Sequence, residues 1–136
     1  MRQYNIHDNS NAILIVEDST MVAAVIQAMI SKEGYKVIMA GDGLEGLKLA
    51  TSERPRLIMT DSIMPHMDGY GLFRALKANP LTADIPVIML SAKASSEDEQ
   101  RALDFGFIDF ISKPIQPVRI ISRIKRVLEL TKKYRH

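Results

Sequence analysis

Glu17 and Asp18, Asp61, Ser91 and Lys113 each follow a short apolar run: ILIV, RLIMT, VIML and FIDFIS respectively. In an open parallel α/β sheet the carboxyl ends of the strands line one crevice, so polar groups at those ends converge in space. Three carboxylates, a hydroxyl and an ammonium in one crevice suit a divalent cation and a phosphoryl group. An isolated acid pair such as Glu17-Asp18 reads as a solvated turn with a helix cap. Here the pair leaves a buried strand, and Asp61 ends another. Carboxylates held that close repel one another, and burial disfavours their charged forms. A cation resolves the conflict, and hard oxygen ligands without His or Cys point to Mg²⁺, or Mn²⁺, rather than zinc. Asp61 can then be a ligand only, or a nucleophile that forms an aspartyl phosphate. Ser91 and Lys113 favour the nucleophile, because both can neutralise phosphoryl oxygens and a bare metal site needs neither.

Positioning these groups requires strands that alternate with helices. The runs 12–16, 36–40, 56–60, 85–90 and 107–111 read as five strands, and 20–33, 44–53, 70–78, 95–105 and 118 to about 134 as helices between them. That alternation is the signature of repeated βαβ units. The expected fold is α/β, a doubly wound five-stranded parallel sheet of flavodoxin-like type. The more mixed runs KVIMA and FIDFI are expected nearer the sheet edges. Ser19, Ser95 and Ser96 are candidate helix caps, Gly34 and Gly106 candidate stops, and the prolines fall at element margins. The last helix carries Ile120, Ile121, Ile124, Val127 and Leu128 on one face; Arg119, Arg123, Lys125, Arg126, Lys132, Lys133 and Arg135 make the rest basic.

At 136 residues the chain is one domain, with a polar tail over 1–11, a folded unit over 12–130 and the basic helix end over 131–136. With no cysteine, disulfide scaffolds and thiolate metal sites are excluded. A net charge of +2 is too small to argue for nucleic acid. No signal peptide or membrane-spanning run is evident, so a cytoplasmic protein is expected.

The segments ILIVEDS (13–19), DSIMPHMDG (61–69), IPVIMLSA (85–92) and DFISKPI (109–115), in this order and spacing, resemble the CheY-like receiver domain of two-component response regulators. The resemblance covers about Ala12 to Leu130. It implies that Asp61 is the phosphoacceptor and that Asp18, assisted by Glu17, holds Mg²⁺ with Asp61 and the backbone carbonyl of Ile63. Ser91 is then the switch hydroxyl, Lys113 the phosphoryl partner with a cis bond to Pro114, and Phe110 the aromatic that responds when Ser91 moves. The bland reading of Phe110 is a buried strand aromatic. The implied partners are a sensor histidine kinase or a histidine phosphotransfer protein, and a downstream protein that reads the surface of the fourth helix, fifth strand and fifth helix. A monomer or weak homodimer is expected, without direct nucleic-acid or membrane binding. Slow autodephosphorylation is also implied. Too few residues follow Leu130 for a second domain, so output is expected in trans or from a longer chain. Ser62, Phe107 and Ile108 depart from the usual pattern, and Lys93, with Ile63, is expected to tune phosphoryl lifetime.

Three rival readings remain. Gly41, Gly43 and Gly46 form a GxGxxG pattern before a helix, as in dinucleotide-binding folds, with Asp61 as its acid. It follows the second strand, however, and Asp42 and Glu45 within it would repel a pyrophosphate. The plainer role for the glycines is a tight turn. A metal-dependent phosphatase using an aspartyl intermediate would share the acids and Lys113, but no general acid near Asp61 and no cap segment is evident. The basic last helix reads as a solvated face before it reads as a nucleic-acid surface. His7, His66 and His136 sit in tails or loops, without the setting of a phosphodonor.

Overall fold

In a computed structural model that describes residues 12–132, five parallel strands form one sheet in the order β2-β1-β3-β4-β5. The elements are β1 (Ala12–Val16), α1 (Thr20–Ser31), β2 (Lys36–Ala40), α2 (Gly43–Glu53), β3 (Leu57–Asp61), α3 (Gly69–Lys77), β4 (Val87–Ser91), α4 (Ser96–Phe105), β5 (Asp109–Ser112) and α5 (Pro117–Leu130). The doubly wound α/β architecture expected from the alternation is the one formed. KVIMA and the FIDFI run supply the two edge strands. The polar tail over 1–11, with His7, and the residues Lys133, Tyr134, Arg135 and His136 lie outside the described residues.

The central strands are apolar throughout because both faces are covered. Crossovers between parallel strands are right-handed, so reversing the winding direction after β2 sends helices to opposite faces. On one side Ile26 and Ile30 of α1 and Ile120, Ile124 and Val127 of α5 pack against Ile13, Ile15, Met59, Ile88 and Leu90. On the other, Ala50, Leu72, Phe73, Leu76 and Ala102 pack against Leu14, Val16, Ile58, Val87, Met89 and Phe110. Each large side chain buried this way contributes about 1.5–3 kcal/mol.

Several boundaries differ from the sequence reading, each for a local reason. β3 runs one residue further and ends on Asp61, and β4 starts at Val87. Pro86 has no N–H to give the ladder, although its carbonyl accepts from Ile58 N at 3.0 Å. β5 starts at Asp109 rather than Phe107, since Phe107 N donates to Ala102 O and closes the end of α4. Ser19 and Ser95 cap α1 and α4 as expected, while Ser96 is the first residue inside α4. Asp42 and Asp68, not foreseen as caps, cap α2 and α3. Gly106 ends α4 at φ 131°, where an L side chain would be strained. α5 starts on Pro117, whose missing N–H is no loss in a first turn. It stops at Leu130, short of the expected 134.

Candidate functional site

Strand register brings the chemistry-bearing residues to one edge. Val16 pairs with Thr60, which sets Glu17 beside Asp61; Asp61 pairs with Leu90, one residue short of Ser91. Ser91 pairs with Ser112, immediately before Lys113. Four strand ends thus deliver four groups without any long loop having to find its place.

Glu17 is 3% exposed and tightly held. Its N–H donates to Ala40 O at 3.0 Å, and its Oε2 accepts from Ser19 N at 3.1 Å. Lys113 Nζ donates to Glu17 Oε1 at 2.7 Å and lies 3.2 Å from Asp61 Oδ2. Asp61 Oδ1 accepts from Ser62 N at 2.9 Å. Asp18 is exposed, yet one carboxylate oxygen from each of Glu17, Asp18 and Asp61 lies within 4.8 Å of the others. Lys113 N donates to Ser91 O at 2.9 Å, and the Lys113–Pro114 peptide is cis. Ser91 is buried; its Oγ accepts from Lys93 N at 3.0 Å and sits 3.2 Å from Ser62 Oγ.

Burial pushes the Glu17 carboxyl above its ordinary range, the Asp61 charge acting the same way, against the lowering pull of Lys113 and the Ser19 amide. Burial alone would lower Lys113. The hydrogen bond to Glu17 and the charge of Asp61 outweigh it, and the net shift is upward. Lys113 is therefore an ammonium at neutral pH. One ammonium offsets one of three carboxylates. The remaining negative charge and the all-oxygen donor set fit a hard divalent cation such as Mg²⁺.

The backbone around Asp61 is closely packed. Gly69 N donates to Ser62 O at 2.9 Å, and a Cβ on Gly69 would run into the Asp61 carbonyl. Two of the three glycines of the GxGxxG pattern, Gly43 and Gly46, have comparable reasons. A side chain on Gly43 would strike the Met67 carbonyl, and one on Gly46 would meet Val16 Cγ2 at 2.9 Å. The amides there are already taken, Gly41 N by Glu45 Oε1 at 2.7 Å and Glu45 N by Asp42 Oδ1 at 2.8 Å. Two carboxylates occupy the place where a pyrophosphate would have to sit. His66 lies in the loop after β3, with Nδ1 3.2 Å from Asp42 Oδ2.

The other expected site residues are more dispersed. Ile63 is 62% exposed, in the loop after Asp61, and Lys93 is exposed after β4. Phe110 is buried on the face that carries α2, α3 and α4. Two features were missed. Arg123, read as part of a solvated basic face, donates to buried Asp109 at 2.6 Å and so ties α5 to β5. Ser62 was noticed only as a departure from pattern; its partner Ser91 is distant in sequence and no periodicity could have announced it.

The model of the response regulator receiver domain family matches residues 13–125. The chain belongs to that family. A response regulator from Desulfuromonas acetoxidans superposes with a TM-score of 0.82 at 43% identity, covering 88% of this receiver and 97% of that chain. The receiver domain of a sensor histidine kinase from Pseudomonas aeruginosa PAO1, with a magnesium ion coordinated in its active-site cleft, superposes at 0.79 with 31% identity, covering 85% and 95%. Among curated relatives, the probable transcriptional regulator ycf27 of Cyanophora paradoxa is 35% identical over 90% of this chain and 50% of its own length. The alkaline phosphatase synthesis transcriptional regulatory protein PhoP of Bacillus subtilis is 35% identical over 85% and 48%. The receiver thus spans about half the length of these regulators. This family assignment favours neither the dinucleotide nor the phosphatase reading. Among the described residues no helix is long and apolar enough to cross a membrane.

Proposed function

We propose that the receiver accepts a phosphoryl group on Asp61 from a phosphohistidine of a partner kinase or phosphotransfer protein. The P–N bond of the donor breaks, its electron pair returns to the imidazole, and a carboxylate oxygen of Asp61 forms the new P–O bond. The observation that carries this reading is the convergence of Asp61 with Glu17, Asp18 and Lys113 at one strand edge.

Glu17, Asp18 and Asp61, with the Ile63 carbonyl, would hold Mg²⁺. When bound, that ion supplies positive charge to the phosphoryl oxygens. Lys113 contributes a fixed ammonium already beside Asp61, stabilising charge without reorganisation. Ser91 offers its hydroxyl to a further phosphoryl oxygen, and its movement changes the space next to Phe110 and the surface formed by α4, β5 and α5. Lys93 and Ile63 flank the approach of water and set the lifetime of the acyl phosphate, which the receiver itself hydrolyses slowly. Output passes to a protein partner in the cytoplasm, or to an output domain on a longer chain.

The test is intact mass after incubation with acetyl phosphate, with and without Mg²⁺, alongside Asp61→Asn. A Mg²⁺-dependent gain of one phosphoryl group, labile to hydroxylamine and absent in the variant, is expected. An unmodified wild type under conditions where a phosphohistidine donor also fails would overturn the reading.

A further inference from the structure

Ser91 has one hydroxyl proton, and its surroundings in this structure already engage the group twice. The Lys93 amide donates to its oxygen at 3.0 Å, and Ser62 Oγ lies 3.2 Å away. The Ser91 side chain is buried, so water does not compete freely for the contact. Ser62 is fixed in turn: its N–H is bonded to Asp61 Oδ1 and its carbonyl accepts from Gly69 N. The residue next to Asp61 is thus within hydrogen-bond reach of the hydroxyl that Asp61's phosphoryl group needs, in a pair where either hydroxyl can donate. A phosphoryl oxygen is only an acceptor, so Ser91 must direct its single proton there.

We infer that Ser62 Oγ accepts the Ser91 proton and is a positioning residue that latches Ser91 in the resting arrangement, so that the switch must break the Ser62–Ser91 contact before Ser91 can engage the phosphoryl group. This inference rests on the proposed role of Ser91. A hydrophobic residue at position 62 offers no such bond, so the latch belongs to this chain's own side chain. Losing it removes one hydrogen bond from the resting state alone, which biases the equilibrium toward the engaged state. A single net hydrogen bond corresponds to a shift of about two- to tenfold.

The experiment uses ¹⁵N-labelled wild type, Ser62→Ala, Ser62→Thr, Ser91→Ala and the double variant, each first checked for a cooperative thermal transition. Beryllofluoride with Mg²⁺ stands in for the phosphoryl group. The Lys93 amide reports where Ser91 Oγ sits, because it donates to that atom. Without ligand, Ser62→Ala is expected to move the Lys93 resonance toward its beryllofluoride-bound position, while Ser62→Thr keeps the wild-type position. Ser62→Ala should bind beryllofluoride about two- to tenfold more tightly, and the gain should vanish in the Ser91→Ala background. Unchanged affinity, or a gain that persists without Ser91, overturns the latch. Weaker binding overturns it too and makes Ser62 a direct ligand of the phosphoryl group. If the wild type fails to bind beryllofluoride at all, the proposed function falls and the latch with it, an outcome distinct from the others.

Discussion

Both faces of the sheet bury aliphatic side chains, but only one adds a cluster of rings to them. Under α1 and α5 the fully buried core is Ile, Leu, Met and Val. Under α3 and α4 a ring cluster joins the aliphatic core: Phe73 and Phe107 lie 4.6 Å apart, Tyr70 sits edge-on to Phe105 at 4.8 Å, and the Arg74 guanidinium lies over Phe105 at 5.3 Å. Branched aliphatic chains interlock in one arrangement, giving a fixed platform. Large rings bridge two helices through few, large contacts, each worth about 0.5–1.5 kcal/mol beyond burial. α4 buries only Ala102 of its own residues, against three for α1. Its position depends on Phe105, Phe107 and its cap. Of the two helices on the surface expected to respond to Ser91, α4 is thus the less anchored, with one buried residue against three in α5.

The sharpest way to break this contrast is to cut one anchor on each side. Phe107→Ala should cost about 3–5 kcal/mol and Ile124→Ala about 2–5 kcal/mol in urea unfolding. Their distribution should differ: hydrogen exchange in Phe107→Ala should accelerate in α3 and α4 beyond the global loss, whereas Ile124→Ala should follow global unfolding alone. Equal patterns in the two variants would erase the distinction between the faces.

A smaller effect separates the faces by pH. Lys77, on the aromatic side, donates to Ala83 O at 2.8 Å and Ile85 O at 2.9 Å and lies 5.1 Å from the centre of the Phe73 ring. Burial lowers its pKa below 10.5, with Asp84 partly opposing. The unfolded chain therefore holds the Lys77 proton more strongly, and this group's contribution to stability rises with pH between the lowered native value and 10.5. Tyr70, whose pKa burial raises, acts in the opposite direction above 10. The difference between wild type and Lys77→Met in denaturation curves across the alkaline range isolates Lys77. A flat difference would remove its charge from the account.

The smallest expected effect concerns the caps. Ser95→Ala should destabilise by about 1 kcal/mol, the typical cost of a lost N-cap. Ser19→Ala loses a comparable bond, but α1 keeps its three buried anchors, so its exchange should change less than that of α4. Asp98 completes the α4 capping box, and the Ser95 hydroxyl beside it holds its pKa below 3.8. Its support is present above the ordinary carboxylate range and is lost as pH falls through the depressed value. In Ser95→Ala the Asp98 carboxyl titration, followed by NMR, should move back up toward 3.8.

Much of this was legible from residue order. Apolar runs at the right spacing announced the five strands, and the polar residues that ended them announced the crevice. Serine marked the starts of α1 and α4, and Gly106 the end of α4. What escaped were particular contacts that no periodicity marks. Phe107 looked like strand because it is apolar, but its amide serves the end of α4. Arg123 looked solvated because its neighbours are basic, but Asp109 lies beneath it. Ser62 looked merely unusual. Such contacts depend on how strands and helices pack on one another, which exists only after the sheet does.

Gly69 carries a mechanical consequence. With nothing beyond a hydrogen between the first residue of α3 and the carbonyl of Asp61, and with Ser62 O bonded to Gly69 N, the joint has no slack. A backbone displacement at the carboxylate acts as a push rod on the start of α3, several residues further along the chain. Any side chain at position 69 would wedge that joint apart, so an injury to the chemistry there would begin as an injury to the bearing.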